Sequence, residues 1–245
     1  MAKAAWSDRL GGFSRFLGVG AVLVAVAGAT LARYDVVPKL PGFSAVALAI
    51  LLALVGVVVA LIALLLTIGR AGASRKPALA GLFLSGAYLA LIASYVIPAS
   101  GYPAIHDATT DLANPPEFKV LPLREDNLVG VGTIENWKKT HAVAFPDLKP
   151  VTIQMPVAKV IAEAERIAKA RGWTVAAAEP EQGRFEATAY AAYIRFRDDV
   201  VLRVVPTGDG KASVVDMRSV SQVGGGDLGY NANRVRSFLK ELQGS

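Results

Sequence analysis

The 245-residue chain contains no cysteine. This absence excludes a disulfide framework, cysteine-ligated zinc or iron–sulfur centres, and thiol catalysis. The carboxyl-terminal part also lacks net charge. Residues 1–98 hold 8 of the 26 Lys and Arg and 2 of the 20 Asp and Glu, which leaves 18 of each sign in residues 99–245. The whole excess of +6 lies in the amino-terminal part, so no nucleic-acid partner is predicted, because such binding needs Lys and Arg massed on one soluble face.

Three long apolar runs lack charged residues, at residues 16–32, 43–69 and 78–97. Their lengths are close to or above the roughly 18–20 residues that cross the hydrocarbon core of a bilayer, so residues 1–98 are predicted to form a membrane domain. Charged residues or His inside a span usually mark ion and proton pathways, and their absence favours an anchor over a transporter. The small residues Gly81, Ser85 and Gly86 either let another helix approach closely or simply face lipid, and the sequence leaves both open.

The first run has a second interpretation. A basic start, 17 apolar residues and a small-residue ending also resemble a cleaved signal peptide. The apolar stretch is long for such a peptide, so a retained helix is favoured. Both interpretations place the carboxyl-terminal domain on the same side of the membrane.

The basic residues that flank the three runs predict an orientation, because short cytoplasmic segments retain Lys and Arg. Only Arg33 and Lys39 lie on one side. The other side carries six basic residues, namely Lys3, Arg9, Arg15, Arg70, Arg75 and Lys76. The predicted topology therefore has a cytoplasmic amino terminus and places the carboxyl-terminal domain on the opposite side. In a bacterial cell this would be an inner-membrane protein whose carboxyl-terminal domain is periplasmic or extracellular.

Proline marks residues 99–150 as an irregular connecting segment, which is followed by a short strand at 151–154. Apolar residues at helical spacing predict a helix over 156–171, which begins at Pro156 and stops at Gly172. Strands are predicted at 173–178, 184–196, 200–206 and 213–223, separated by turns that include 197–199. A closing helix is predicted over 228–243, with Leu228 on its apolar stripe.

Short turns between these strands require antiparallel neighbours. The carboxyl-terminal part is therefore predicted as a two-layer α+β domain with its core in residues 151–245, an antiparallel sheet of about four strands and two helices on one sheet face.

Several motifs in fixed order make the carboxyl-terminal part recognisable. They are IHDATTDLANPPEF at 105–118, GRFEATA at 183–189, FRDDVVLR at 196–203 and VDMRSVSQVGGGDLGYNANRVR at 215–236. Over most of residues 101–243 the chain resembles the bacterial DUF1499 family. The resemblance implies a domain that is often attached to membrane spans, and it implies no established activity. Gly225 and Gly226 stand where the resemblance leads us to expect more polar or basic residues.

The junction between the last strand and the closing helix is rich in polar side chains. Alternation along a strand places Asp216 and Arg218 on one face, with Arg203 across from Asp216 and Glu186 near them. The candidate ligand-binding residues are Arg203, Asp216, Arg218, Ser219, Ser221, Asp227, Asn231 and Arg234. They predict either a groove for a small anionic or carbohydrate-like ligand, closed by the 224–226 loop, or structural ion pairs, with Asp227 capping the helix through the N–H of Tyr230.

Two further groups of polar residues each have a functional and a structural interpretation. His106, Asp107 and Asp111, with His141, are residue types that ligate transition metals, although the flanking prolines favour turn hydrogen bonds. Asp198 and Asp199 are carboxylates, as acid–base chemistry requires, but a hairpin turn is their predicted role. No catalytic residue, metal site or cofactor is predicted, since no P-loop lysine and no serine-nucleophile signature is present.

Three hypotheses for function follow. The first is a membrane-anchored domain that binds a partner or ligand at the cell envelope without catalysis. The second is an envelope hydrolase or transferase that uses the polar residues of 216–234. The third is a structural subunit of a larger complex. The predicted partners are the lipid bilayer and other membrane proteins that contact the three helices.

Overall fold

The computed structural model describes residues 2–68 and 73–245. Two compact units are present, one formed by residues up to 98 with 193–195 and the other by residues 99–192 and 196–245. The first unit contains helices α1 (Ala2–Arg33), α2 (Lys39–Leu65) and α3 (Lys76–Ala99). All three are long and apolar enough to cross a membrane.

The helices differ in extent from the predicted apolar runs. Helix α1 starts well before residue 16, because the basic leading segment continues the same helix. Helix α2 ends at Leu65, whereas the predicted run continued to Gly69, which lies outside the described residues, as does Arg70.

Small residues allow close packing inside the first unit, as membrane helices generally require. A Cβ on Gly81 would lie 2.0 Å from the Ser14 hydroxyl, and Ser85 is fully buried beside Gly18 and Gly56. Gly86 has no neighbour within 4 Å of its Cβ position. Of the two alternatives that the sequence left open, close approach of another helix therefore holds at Gly81 and Ser85 but not at Gly86.

The second unit is an α+β domain, as predicted, but it has more strands. Its helices are α4 (Ile134–Ala144), α5 (Val157–Ala170) and α6 (Tyr230–Gln243). Its strands are β1 (Asp107–Thr109), β2 (Val151–Ile153), β3 (Thr174–Glu179), β4 (Arg184–Ala191), β5 (Phe196–Pro206) and β6 (Ser213–Ser221). Every pairing is antiparallel, in the order β1-β6-β5-β4-β3. Strand β2 pairs with β6 at Ser213–Val215 and β1 pairs with it at Arg218–Val220, so the two short strands share one edge of β6.

Helices α5 and α6 cover one face of the sheet, as predicted, and bury the apolar core with it. Phe185, Leu202 and Met217 on the strands are fully buried with Ile161 of α5 and Phe238 of α6. Helix α5 starts after Pro156 and stops before Gly172, whose φ of +71° lies in the left-handed region that glycine adopts readily.

The predicted turn at 197–199 is wrong. These residues lie inside β5, and the chain turns instead at 192–195, where Ala192 and Arg195 have positive φ. The polar sequence Arg197-Asp198-Asp199 is typical of a turn. Both aspartate carboxylates form hydrogen bonds inside the folded domain, so the strand continues through these residues.

Two elements in the segment predicted to be irregular were missed. Strand β1 is too short to show a periodic pattern. Helix α4 begins after Thr133, whose hydroxyl accepts a hydrogen bond from the N–H of Asn136. It buries Trp137 and His141, one turn apart, and His141 packs edge-on against Phe145 one turn further on. The four-residue spacing of these three aromatic rings is the feature of the sequence that indicates helix α4.

The closing helix begins two residues later than predicted. Leu228 has a φ of +55° and is 47% exposed, so it does not belong to the apolar stripe. The stripe is formed by Val235, Phe238, Leu239 and Leu242, all buried.

Candidate functional site

The sheet separates the predicted ligand-binding residues into two groups. Ser219 and Ser221 point to the face covered by α6, which supplies Asn231 and Arg234. Asp216, Arg218 and Arg203 point to the opposite face, where residues 110–125, here called the covering segment, lie across the strands. These residues therefore do not line one groove.

On the α6 side, Asp198, Ser219, Ser221, Asn231 and Arg234 form a closed hydrogen-bonded cluster, here called the helix-side network. Arg234 lies 2.5 Å from the Asp198 carboxylate and donates to the Ser219 hydroxyl over 2.9 Å. The Asn231 amide donates to the Ser221 hydroxyl and accepts from the Ser219 hydroxyl. All five side chains are buried, so the network joins α6 to the sheet.

On the opposite face, two arginines hold the start of the domain against the sheet. Arg203 lies 2.9 Å from both Asp111 and Asp216. Arg218 lies 2.6 Å from Asp107, which is 2% exposed. The predicted pairing of Arg203 with Asp216 across neighbouring strands is confirmed. Each guanidinium is already bound to carboxylate, which favours the structural interpretation of these residues.

Glu186 does not join these pairs. Its fully buried carboxylate accepts hydrogen bonds from three successive backbone N–H groups, those of Lys119, Val120 and Leu121. Consecutive N–H groups aimed at one anion form a backbone nest. Glu186 therefore fixes the middle of the covering segment on the sheet.

The metal hypothesis does not hold for the described residues, in which no three His or acidic side chains are placed to share an ion. Asp107 and Asp111 bind different arginines. His141 Nε2 accepts a hydrogen bond from the Thr109 N–H, and burial lowers its pKa to about 4. The ring is therefore neutral at pH 7 and supports the edge strand β1.

Asp227 caps α6, as predicted, although through other donors. Its carboxylate accepts from the N–H of Gly229 and of Asn231 rather than from that of Tyr230. Burial raises the pKa of this carboxyl. The preceding glycine loop is held down, since Arg124 donates to the Gly224 carbonyl over 2.7 Å and Gly226 packs on Ala104. This loop therefore supports the domain instead of closing a groove.

A cleft of about 430 Å³, here called the Asp199 cleft, lies beside the polar residues. It lies between the covering segment and the ends of β5 and β6. It is lined by Phe118, Pro122, Leu123, Arg124, Glu125, Asp199, Val220, Ser221 and Gln222. Clefts of this size with apolar walls and a few polar groups are the usual form of small-molecule sites.

Asp199 forms the polar floor of this cleft and is 5% exposed. It accepts hydrogen bonds from the Thr188 hydroxyl at 2.8 Å and from the Gln222 amide at 3.0 and 3.1 Å. Burial raises the pKa of this carboxyl, the two hydrogen-bond donors oppose the rise, and the charges of Asp198 and Glu186 add to it. Sequence reasoning missed this role because it placed Asp199 in a turn, although the alternation of Asp199 with Val201 and Arg203 was a usable signal.

A second cleft of about 410 Å³ lies beside Arg184 and Arg203. Both arginines already form ion pairs, Arg184 with Glu179 and Arg203 with Asp111 and Asp216. This cleft therefore presents fewer unpaired charges than the Asp199 cleft.

Fold and site together define a class of protein. Three helices able to span a membrane precede an α+β domain whose antiparallel sheet carries helices on one face and an extended, arginine-pinned segment on the other. The family model described as "Protein of unknown function (DUF1499)" matches residues 107–242, which is more than half of the chain, and the chain belongs to this family. The resemblance seen in the sequence motifs is thereby confirmed. No curated protein matches the chain.

Proposed function

We propose that this protein is anchored in a bacterial inner membrane and holds its DUF1499 domain on the periplasmic or extracellular side, where the domain binds a ligand or partner without catalysing a reaction. The observation that carries the binding role is the Asp199 cleft. It is concave, has four apolar wall residues and contains a carboxylate that nothing in the described chain neutralises.

The pairing of the other polar groups supports binding over catalysis. A hydrolase or transferase acting through 216–234 needs a nucleophile or a base with a free hydrogen-bonding direction toward substrate. Ser219 and Ser221 are instead buried under α6 and bonded to Asn231. Asp216 and Arg218 are each held in an ion pair.

The distribution of basic residues supports the orientation. Six Lys and Arg flank the spans on the proposed cytoplasmic side and two on the other, with a charge-balanced domain beyond the third span. Arg75 and Lys76 lie at the start of α3, and Arg33 ends α1.

The absence of cysteine allows orientation to be tested with single introduced thiols. Asp209→Cys places one in the exposed turn between β5 and β6, and Ser74→Cys places one between α2 and α3. In intact cells a membrane-impermeant maleimide is expected to label Asp209→Cys but to label Ser74→Cys only after permeabilisation. The reverse pattern would overturn the orientation.

Binding in the cleft can be tested with the same chemistry. Leu123→Cys puts a thiol on the cleft wall, where the native side chain is 43% exposed. A small-molecule extract of the host cell envelope is expected to slow maleimide labelling of Leu123→Cys and to leave labelling of Asp209→Cys unchanged. Equal labelling rates with and without extract at both positions would contradict a binding role for the cleft.

A further inference from the structure

Asp199 differs from the other buried carboxylates of this sheet in its partners. Asp107, Asp198 and Asp216 each pair with an arginine, and Glu186 receives three backbone N–H groups. Among residues 2–68 and 73–245, no Lys, Arg or His forms an ion pair or hydrogen bond with Asp199. Two neutral side chains, Thr188 and Gln222, are its hydrogen-bond donors.

The hydrogen bonds to Asp199 leave one direction open. A carboxylate offers about four acceptor positions. The Oδ1 atom receives both Thr188 and Gln222, whereas Oδ2 receives only the longer contact from Gln222, at 3.1 Å. Oδ2 therefore has capacity for a further donor, and Asp199 lines the cleft from which such a donor would come.

The arginine in the cleft supplies no counter-charge to Asp199 and no place for an anion. The Nε and Nη2 atoms of Arg124 donate to Asp126 over 2.7 Å. Its Nη1 donates to the carbonyls of Ser221 and Gly224. The other charged residue lining the cleft is Glu125, an exposed acid. The charge not neutralised within the cleft is therefore negative.

A buried charge without a partner is costly, and a cation that pairs with it recovers part of that cost. The walls formed by Phe118, Pro122, Leu123 and Val220 suit an apolar body, whereas a hydrated metal ion would gain little from them. We propose that the Asp199 cleft binds organic cations that carry an ammonium group on an apolar body, with the ammonium donating to Asp199 Oδ2. This rests on the binding role proposed above and names the class of ligand.

The test uses the full chain in detergent with Leu123→Cys as the reporter, so that partition of a probe into micelles does not imitate binding. The probes are phenethylammonium and its uncharged analogue 2-phenylethanol. Phenethylammonium is expected to slow maleimide labelling of Leu123→Cys at concentrations at least about tenfold lower than 2-phenylethanol does. Adding Asp199→Asn is expected to remove that difference, whereas Asp209→Asn, an exposed carboxylate in a turn, is expected to keep it.

Acid provides a second measurement that needs no substitution at Asp199. Protonation of Asp199 removes its charge, so protection by phenethylammonium is expected to weaken as the pH falls, while protection by 2-phenylethanol stays constant. Asp198 and Glu186 add negative charge near Asp199, Arg124 and Glu125 line the cleft with it, and Arg197 lies two residues before it on the same face of β5. Asp198 and Arg124 are held in ion pairs and Glu186 by backbone donors.

The two proposals fail in different ways. Equal potency of the two probes, or unchanged protection in the Asp199→Asn background, would overturn cation binding. Protection of Leu123→Cys by envelope extract that survives Asp199→Asn would also overturn it, yet would leave the binding role of the cleft standing. If neither extract nor probe protects Leu123→Cys, both proposals are wrong.

Discussion

The adjacent residues Asp198 and Asp199 point to opposite faces of the sheet and have different kinds of partner. Asp198 points to the helix side and meets Arg234 at 2.5 Å in a closed network. Asp199 points to the side of the covering segment and meets only neutral donors at the floor of a cleft. The comparison teaches that the buried carboxylates that join parts of this domain are bound by an arginine or by backbone N–H groups, whereas Asp199 is bound by neither and is therefore the candidate for binding a ligand.

The largest expected effect comes from breaking one buried ion pair on either face. Asp198→Ala leaves Arg234 without its carboxylate on the helix side, and Asp107→Ala does the same to Arg218 on the other side. Each is expected to lower the free energy of unfolding by about 3–5 kcal/mol. Urea unfolding in detergent can be followed by tryptophan fluorescence in a Trp6→Phe background, which keeps Trp137 and Trp173 of the domain.

The matched control for these substitutions is Asp147→Ala, which removes an exposed pair with Arg236 and is expected to cost about 0–1 kcal/mol. A loss no larger than this control on one face would show that the face is not held by its ion pair, and the comparison would break there.

Acidification is expected to act on His141 and on Asp199 in opposite directions. His141 packs with core residues Trp137 and Phe145, and its pKa is lowered from 6.5 to about 4. The unfolded chain therefore takes up a proton before the folded one does, and about 3 kcal/mol of stability is lost as the pH falls from 6.5 toward 4. Burial lowers the pKa of His106 as well, so the same loss is expected there in direction.

Asp199 responds with the other sign, because its folded pKa is raised. The contribution of this group to stability is full below its unfolded pKa and is lost as the pH rises through the folded pKa.

Unfolding measured from pH 7 to pH 4 in His141→Gln, which keeps an acceptor for the Thr109 N–H, is expected to show a smaller loss of stability in acid than the native chain. An identical acid profile would contradict the assignment to His141.

A smaller effect is expected from the amide of the helix-side network. Asn231→Ala removes the group that bridges Ser219, Ser221 and the His106 carbonyl, and is expected to cost about 1–3 kcal/mol in urea unfolding. Asn233→Ala, two residues along on the exposed side of α6, is the control and is expected to change stability little. Equal effects of Asn231→Ala and Asn233→Ala would show that the helix-side network does not stabilise the fold.

The smallest effect sharpens the contrast between the two aspartates. Asp199→Asn keeps an acceptor for Thr188 and Gln222 and removes a charge that burial disfavours, so a small gain in stability is expected at pH 7 that vanishes in acid. Asp198→Asn is expected to destabilise the domain at the same pH. If both variants are destabilised to the same extent, Asp199 is a structural group like its neighbour.

The sequence was sufficient for features that repeat along the chain. Uncharged runs predicted the three long helices, alternation predicted the faces of Asp216 and Ser219, and apolar spacing predicted α5 and α6. Opposite charges were enough to predict the pairing of Arg203 with Asp216.

The remaining features depend on contacts between distant parts of the chain, which no local pattern carries. Asp198 and Asp199 resemble a polar turn in the sequence, because their partners Arg234, Gln222 and Thr188 lie 36, 23 and 11 positions away. Strand β1 forms by pairing with β6. The carboxylate of Glu186 accepts hydrogen bonds from a segment that lies 65 to 67 positions earlier in the chain. The Asp199 cleft is made by that same segment, so it could not be predicted before the segment was placed.

The shared edge of β6 has a consequence for the timing of synthesis. The contact between Arg218 and Asp107 joins residues 111 positions apart, and β1 waits for β6 before it has a strand to pair with. Contacts of such long range form late and slowly. The sheet therefore cannot close until β6 has been synthesised, so β1 stays without a partner strand while β2 to β5 are being made.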